Sequence, residues 1–474
     1  MTTYGIDALA VYIPKLYLDI ADLAEAREIP YEKLRKGLGL EQMALPDTDE
    51  DAASFAANAL WKLINDNGLD PREIGRIYVG TESAVDGSKP TATYATEYVE
   101  QRLARQYGNR CFKNCDVVDL TFACVGAVDA LQNCLDWVKG GQNRKAIVIA
   151  SDLSKYELHS TGEYTQGAGA VATLITANPR IVSIDDTWGV GMQSVGDFFK
   201  PRRSFVKKDL LKELTDAADI ALPKTEQTGS LWSDPHRIVN VYREEPVFDG
   251  QYSNACYSDR ITEALAHYKE QESSANFMNW DYLVFHLPYA YHGRRIILRN
   301  WLEWISGTPT YDALIEEVGS PEEDPKGWKR AVAKSSLYTK FVADHIEITE
   351  RASSVIGNMY TASIFMALVS LLMHAEADQT DLSGKQLGFI AYGSGSKSKV
   401  FTGTVGTDWK AGIAKLDLSD QLTQRQQVDI DTYQQLHTGA KEEPIVISDD
   451  IVLTHIESEK ETAIGLRTYA QNKA

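Results

Sequence analysis

Cysteine is scarce in this chain: five in 474 residues, at Cys111, Cys115, Cys124, Cys134 and Cys256. No two stand in CxxC spacing and no group of histidines completes a ligand set. A disulfide framework and a zinc module are therefore excluded as organising devices. Basic residues are also few, 48 Lys and Arg against 67 Asp and Glu, and the formal charge of −19 is offset by no block of Lys or Arg. That argues against a nucleic-acid partner, although an anionic small molecule would need only a few local cations. Long apolar runs are missing. The most apolar window, 361–375, carries Thr361, Ser363 and Ser370 and falls short of the ~18 residues that read as a membrane span, so a buried helix is expected there. The N-terminus has no basic segment leading into an apolar core, so no cleaved signal is expected and the protein reads as soluble and cytoplasmic. The spacing of a dinucleotide-binding GxGxxG is absent as well.

What remains is an ordinary globular composition, 43% apolar and 24% charged, long enough for two or three domains or one large duplicated unit. Short apolar runs end abruptly at small or polar residues. RIYVG (76–80) runs into Thr81-Glu82-Ser83, DVVDLTF (116–122) into Ala123-Cys124, and AIVIA (146–150) into Ser151-Asp152. YLVF (282–285) stops at His286, and LGFIAY (387–392) at Gly393-Ser394. Helical stretches at 49–70 and 125–140 alternate with them. Continuous apolar strands alternating with helices indicate an α/β fold around a buried sheet, with chemistry sought where strands end. The occurrence of this pattern in both halves suits an internal duplication. The segment 200–245, rich in charge and proline, reads as an insertion, 315–330 as a solvated excursion, and the tail beyond about residue 400 as peripheral.

Several strand ends carry groups able to do chemistry. Cys124 lies between a strand and a helix, where the helix N-terminus favours a thiolate; the alternative is a buried apolar cysteine. Cys134, among Leu131 and Trp137, reads as a core residue. Glu82 is either a general base raised by burial or a solvated loop acid. His286 ends its strand before a Leu-Pro turn and is either a site residue or a satisfied core histidine. Asn358 could cap the helix that follows it or bond a substrate carbonyl. The glycines of YTQGAGAVATLI (164–175) fit tight packing or the close approach of a ligand.

In order along the chain, GTES (80–83), TFACVGA (121–127), ASDLSKY (150–156), YTQGAGAVATLI (164–175), PVFDGQYSNACY (246–257), FHLPY (285–289), IGNMYTAS (356–363) and AYGSGS (391–396) resemble the hydroxymethylglutaryl-CoA synthases of the thiolase superfamily. The resemblance runs from about residue 5 to about 400. It implies a thiolase-like duplicated αβαβα layered fold, with an N-terminal half at 1–178 carrying Glu82 and Cys124. The C-terminal half at 179–474 would carry His286 and Asn358, with insertions and a C-terminal extension. It also implies a homodimer. Carried over by position, Cys124 would take an acetyl group from acetyl-CoA, Glu82 would remove a proton from the acetyl methyl, and His286 would hold acetoacetyl-CoA and supply a proton. Asn358, Ser394, Thr165 and Ser253 match substrate contacts. The reaction so implied uses CoA thioesters as substrates and needs no metal or redox cofactor; it belongs to the mevalonate pathway.

Two positions depart from the family. Tyr291 stands where a CoA-binding Lys is usual, and Arg295 replaces a second Lys, which leaves Arg294 and Arg295 as candidate phosphate contacts. Three other readings compete: a carrier-protein-dependent synthase of polyketide β-branching, a ketoacyl-type synthase, and a non-catalytic acyl-CoA-binding scaffold. The glutamate at 82 counts against the second, and the presence of nucleophile, base and histidine together counts against the third.

Overall fold

The computed structural model describes residues 2–219, 237–321 and 324–471. Its centre is a nine-stranded mixed sheet. The strands are β1 (Tyr4–Tyr12), β2 (Ile74–Gly80), β3 (Asp116–Leu120), β4 (Lys145–Ser154), β5 (Gly167–Ala177), β6 (Val182–Met192), β7 (Tyr282–Phe285), β8 (Gln386–Gly393) and β9 (Lys397–Val405). Their spatial order is β7-β8-β9-β6-β1-β5-β4-β2-β3.

That order contains a repeat. From the middle outward, the first half runs β1-β5-β4-β2-β3 and the second runs β6-β9-β8-β7. The pairs β2–β4 and β7–β8 are parallel, while β4–β5 and β8–β9, and then β5–β1 and β9–β6, are antiparallel. The second half thus repeats the first without a counterpart of β3. The two meet where Gly5 opposes Ser183, and a Cβ on Gly5 would stand 2.0 Å from the Val182 carbonyl oxygen. Only glycine lets the halves approach this closely.

The inner strands β2, β4 and β5 of the first half are apolar along most of their length because both faces are covered. Ile77, Val79, Ile147 and Ile149 pack into one cluster with Phe55 and Leu60 of α1 (Ala52–Asp66) and Val99 of α2 (Thr91–Tyr107). Tyr78, Ala146, Val148 and Ala150 turn the other way, onto Val128, Leu131 and Leu135 of α3 (Gly126–Lys139). Cys134 is fully buried in that helix. The long helix α4 (Gly250–Gln271) packs on β6, and α5 (Ser363–Ala377) is buried on nearly all sides. The stretch Tyr360–Ala377 is apolar and long enough to cross a bilayer, yet 78% of it is buried inside the fold.

Two expectations are corrected. The tail is not peripheral: β9 lies inside the sheet, and Gln421 accepts from the Ile13 amide at 2.9 Å and donates to the Val11 carbonyl. Its polar sequence concealed this, because Gln421 is buried by hydrogen bonding rather than by apolar character. The segment 315–330 is solvated as expected, with no described residue buried, and it is built from the facing ends of two helices, Pro309–Val318 and Pro325–Val332. The strand at 146–150 continues to Ser154, which carries Asp152 into the interior. Of the insertion at 200–245, the strand Arg203–Val206 pairs with Ile238–Val241 and a helix spans Lys207–Ala217; residues 220–236 lie outside the described residues.

Candidate active site

The site forms where strand ends converge. Glu82 follows β2, and His286 follows β7, the counterpart of β2 in the second half. Cys124 sits in the turn Ala123–Val125 between β3 and α3. Ala123 holds a left-handed φ of 36°, a strained conformation that turns the chain sharply just before the thiol. The Cys124 thiol donates to Glu82 Oε1 at 3.2 Å. It is packed with the rings of Tyr156, Tyr360, Phe198 and Phe248.

Those surroundings reverse the expected thiolate. Burial, and then the neighbouring Glu82 carboxylate, push the Cys124 thiol well above its usual range, with Asp152 adding to the effect. The helix end is outweighed because a buried anion is opposed by desolvation and by a like charge in contact. Cys124 therefore rests as a thiol with a base already in hydrogen-bond contact.

Two further charged groups were not picked out from the sequence. Lys200 Nζ lies 3.6 Å from Glu82 Oε2, with both side chains about nine-tenths buried, and 4.6 Å from the Tyr360 ring. Burial works against its charge, but Glu82 and Asp152 outweigh that and hold Lys200 above the ordinary lysine value. Asp152 accepts from Thr81 Oγ1 at 2.9 Å, from the Glu82 amide at 2.8 Å and from the Thr361 amide at 3.1 Å. It thereby ties the Glu82 loop to the segment that carries Asn358. Burial, with the Glu82 charge, pushes its carboxyl upward.

A cavity of about 580 Å³ opens onto Cys124 and His286, and Asn358, Ser394, Thr165, Ser253 and Arg295 also line it. The fold thus brings all the sequence-picked contacts around one space. Glu82 touches Cys124 from the side and faces a second cavity of about 750 Å³ with Lys200 and Arg202. His286 is held by its backbone: its amide donates to Ile390 and its carbonyl accepts from Tyr257 at 2.7 Å. Burial pushes its imidazole down to about 3, so the ring is neutral at neutral pH, and its Nδ1 has no partner among the described residues.

Asn358 serves the cap and the cavity together. Its Oδ1 accepts from the Tyr360 amide at 2.8 Å and from Ser363 Oγ at 3.2 Å, which fixes the side chain beside the cavity. Ser253 donates to Asp197 at 3.3 Å, and Asp197 also accepts from Tyr392 and from the Gly395 amide.

At the cavity mouth, Arg295 donates to the Gly37 carbonyl and faces the Tyr289 ring. Arg294 turns away and pairs with the buried Glu350, so it is not the phosphate contact expected of it. Tyr291 packs on Gly39, where a Cβ would come within 2.6 Å of the ring, while Arg294 lies over the ring at 3.8 Å. Among the described residues no cluster of His, Cys, Asp and Glu is arranged to hold a metal ion.

The family model described as "Hydroxymethylglutaryl-coenzyme A synthase N terminal" matches residues 2–180, and its C-terminal companion matches residues 237–443. A hydroxymethylglutaryl-CoA synthase of Haloferax volcanii is 32% identical over 452 residues, covering 92% of each chain. Among solved structures, MvaS in complex with 3-hydroxy-3-methylglutaryl coenzyme A is 28% identical, with a TM-score of 0.78 and full coverage of both chains. The curacin-pathway HMG synthase in complex with an acetyl donor carrier protein superposes at a TM-score of 0.73, with 99% of this chain and 100% of that one covered. At 22% identity that likeness concerns the fold alone.

Proposed function

The chain belongs to the hydroxymethylglutaryl-CoA synthase family and is a condensing acyltransferase; from that premise we propose that it joins acetyl-CoA, acetoacetyl-CoA and water into hydroxymethylglutaryl-CoA and free CoA. The observation that carries the assignment to particular residues is the 3.2 Å contact between Cys124 and Glu82 beside a cavity shared with His286.

In the first step the Cys124 sulfur attacks the thioester of acetyl-CoA. A C–S bond forms to Cys124, the C–S bond to CoA breaks, and the thiol proton ends on the departing CoA sulfur. Glu82 is placed to accept that proton in passing, and nothing needs to remain on it. Once acetylated, Cys124 no longer donates to the carboxylate. Glu82 is then free to take a proton from the acetyl methyl, which the thioester keeps acidic. The carbanion adds to the β-carbonyl of acetoacetyl-CoA, and His286, a neutral imidazole, is suited to polarise that carbonyl; the proton that Glu82 took from the methyl group ends on the new alkoxide by way of the imidazole, so Glu82 and His286 return to their starting states. Water then cleaves the Cys124 thioester, leaving a carboxylic acid and a restored thiol. Carbon is neither oxidised nor reduced overall, so this sequence draws on no redox cofactor, and it assigns no step to a metal.

The same reading makes the enzyme a homodimer of the cytoplasm working in the mevalonate pathway, with Asn358, Ser394, Thr165 and Ser253 contacting substrate and Arg295 contacting the anionic part of CoA. Intact mass after incubation with acetyl-CoA alone, followed by peptide mapping, tests the core of it. One acetyl group on the Cys124 peptide is expected; no label, or label elsewhere, overturns the assignment. Turnover confined to an acetoacetyl carrier protein, with none on acetoacetyl-CoA, would move the function to the carrier-protein reaction.

A further inference from the structure

His292 is a second buried imidazole on the wall of the reaction cavity, in the helix that follows His286. It is 4% exposed, and neither ring nitrogen has a hydrogen-bond partner among the described residues. Leaving both polar atoms of a buried ring unpaired costs stability, so an occupant of the cavity is the natural source of the missing bonds.

The ring's position indicates which part of a substrate that is. It lies parallel on Tyr289, at 4.6 Å and 6°, and Tyr289 in turn faces Arg295 at the mouth. On its other side it meets the edge of Tyr257 at 4.9 Å, and the Tyr257 hydroxyl donates to the His286 carbonyl. His292 therefore stands between the deep imidazole and the cation at the entrance. Burial, with the nearby Arg295 charge adding to it, holds His292 well below the ordinary histidine range, so the ring is neutral and offers one N–H and one bare nitrogen. A carbonyl, carboxylate or phosphate can only accept. A secondary amide both donates and accepts, and an acyl-pantetheine carries one two carbons from its sulfur.

Resting on the function proposed above, we propose that His292 is a substrate-binding residue that pairs with the first amide of the pantetheine arm, the part common to CoA and carrier-protein thioesters. It would orient the thioester along the tunnel without taking part in bond making.

The test compares acetoacetyl-N-acetylcysteamine, which keeps that amide, with the S-pentyl thioester of similar length, which lacks it. The wild-type enzyme, with Cys124 acetylated from acetyl-CoA, is expected to favour the amide-bearing substrate by about tenfold in kcat/KM. His292→Phe, which keeps the stack on Tyr289, should erase that preference while leaving the S-pentyl rate within about twofold. His292→Gln, with a donor and an acceptor, should recover part of it. Should His292→Phe not fold, the imidazole nitrogen NMR shifts of the unaltered enzyme serve instead, and these should move on binding the amide-bearing thioester and not its S-pentyl analogue. A wild-type enzyme without the preference, a His292→Phe variant that keeps it, or an equal loss on both substrates would overturn the proposal; the first is also the outcome if water alone satisfies the ring. A wild-type Cys124 that takes no acetyl group would instead refute the underlying function.

Discussion

Lys200 is the residue whose removal separates the two halves of the chemistry. Its ammonium stands 3.6 Å from Glu82 Oε2 in a setting with little water, where taking one partner from an ion pair leaves the other poorly compensated. Lys200→Met should therefore weaken the steps that need Glu82 as an anion, with condensation falling about 10- to 100-fold, or ~1.4–2.7 kcal/mol of barrier. Acetylation of Cys124 should fall less, because its proton leaves with CoA. Lys200→Arg should restore part of the loss. Measuring the acetylation rate by mass and the condensation rate on the same preparation decides the matter, and an equal fall in both would assign Lys200 a structural role only. Glu82→Ala supplies the reference, since it should still be acetylated yet lose condensation by at least ~10³-fold. Cys124, Glu82 and His286 were legible in the sequence because each interrupts an apolar run. Asp152 was not, because β4 runs on past the residue taken as its end, and Lys200 was not, because a charge-rich segment has no period to mark one lysine from its neighbours. The thiolate expected at Cys124 failed for a different reason: helix position can be read from sequence, whereas burial beside a carboxylate cannot.

The C-terminal hairpin shows at the level of elements what the sequence concealed. Ile451–Ile456 pairs with Arg467–Gln471, and the segment leading into it is fastened to residues 47–58. Asp47 accepts from the Ile445 and Val446 amides at 2.7 and 2.9 Å, and Asp51 accepts from Arg467 and Tyr469 at 2.9 and 2.8 Å. Asn58 exchanges hydrogen bonds with Ile451. Polar side chains of one segment meet backbone groups and polar side chains of another, a pairing without hydrophobic periodicity, so the tail read as loose. Glu50 sits among these contacts, accepting from the Tyr12 hydroxyl at 2.5 Å and the Asp47 amide at 2.8 Å. Burial, with added repulsion from Asp49 and Asp450, pushes it up to about 8 from its ordinary 4.5. Between those values the folded chain holds a proton that the unfolded chain has released, so stability falls as pH rises through that window. Glu50→Gln removes the ionisation. Chemical unfolding at pH 6, 7, 8 and 9 should show wild-type stability declining more steeply than that of the variant, and parallel pH profiles would show that Glu50 ionises freely in the fold.

Across the whole molecule the duplication leaves one asymmetry. The second half stops at β7, but the first half adds β3, an edge strand whose outer hydrogen-bonding groups face no other strand among the described residues. Edges of this kind are ordinarily shortened, charged or covered, because they pair readily with another chain. Here the strand is DVVDL, with Val118 exposed at 37%, and it leads directly into the turn that carries Cys124. A second copy related by a two-fold axis could continue the sheet through β3, and an isologous contact would bring residues at the strand centre close to their symmetry mates. That edge is the support for the homodimer proposed above. It predicts that Val118→Arg, which would set two like charges near the axis, converts the protein to monomers in sedimentation velocity at micromolar concentration, where the wild type sediments as a dimer. Because β3 anchors the Cys124 turn, the variant should also be acetylated more slowly, while circular dichroism stays that of the folded chain. A wild-type monomer, or a Val118→Arg protein that remains dimeric with unchanged affinity, would place the subunit contact elsewhere and leave the β3 edge without a partner.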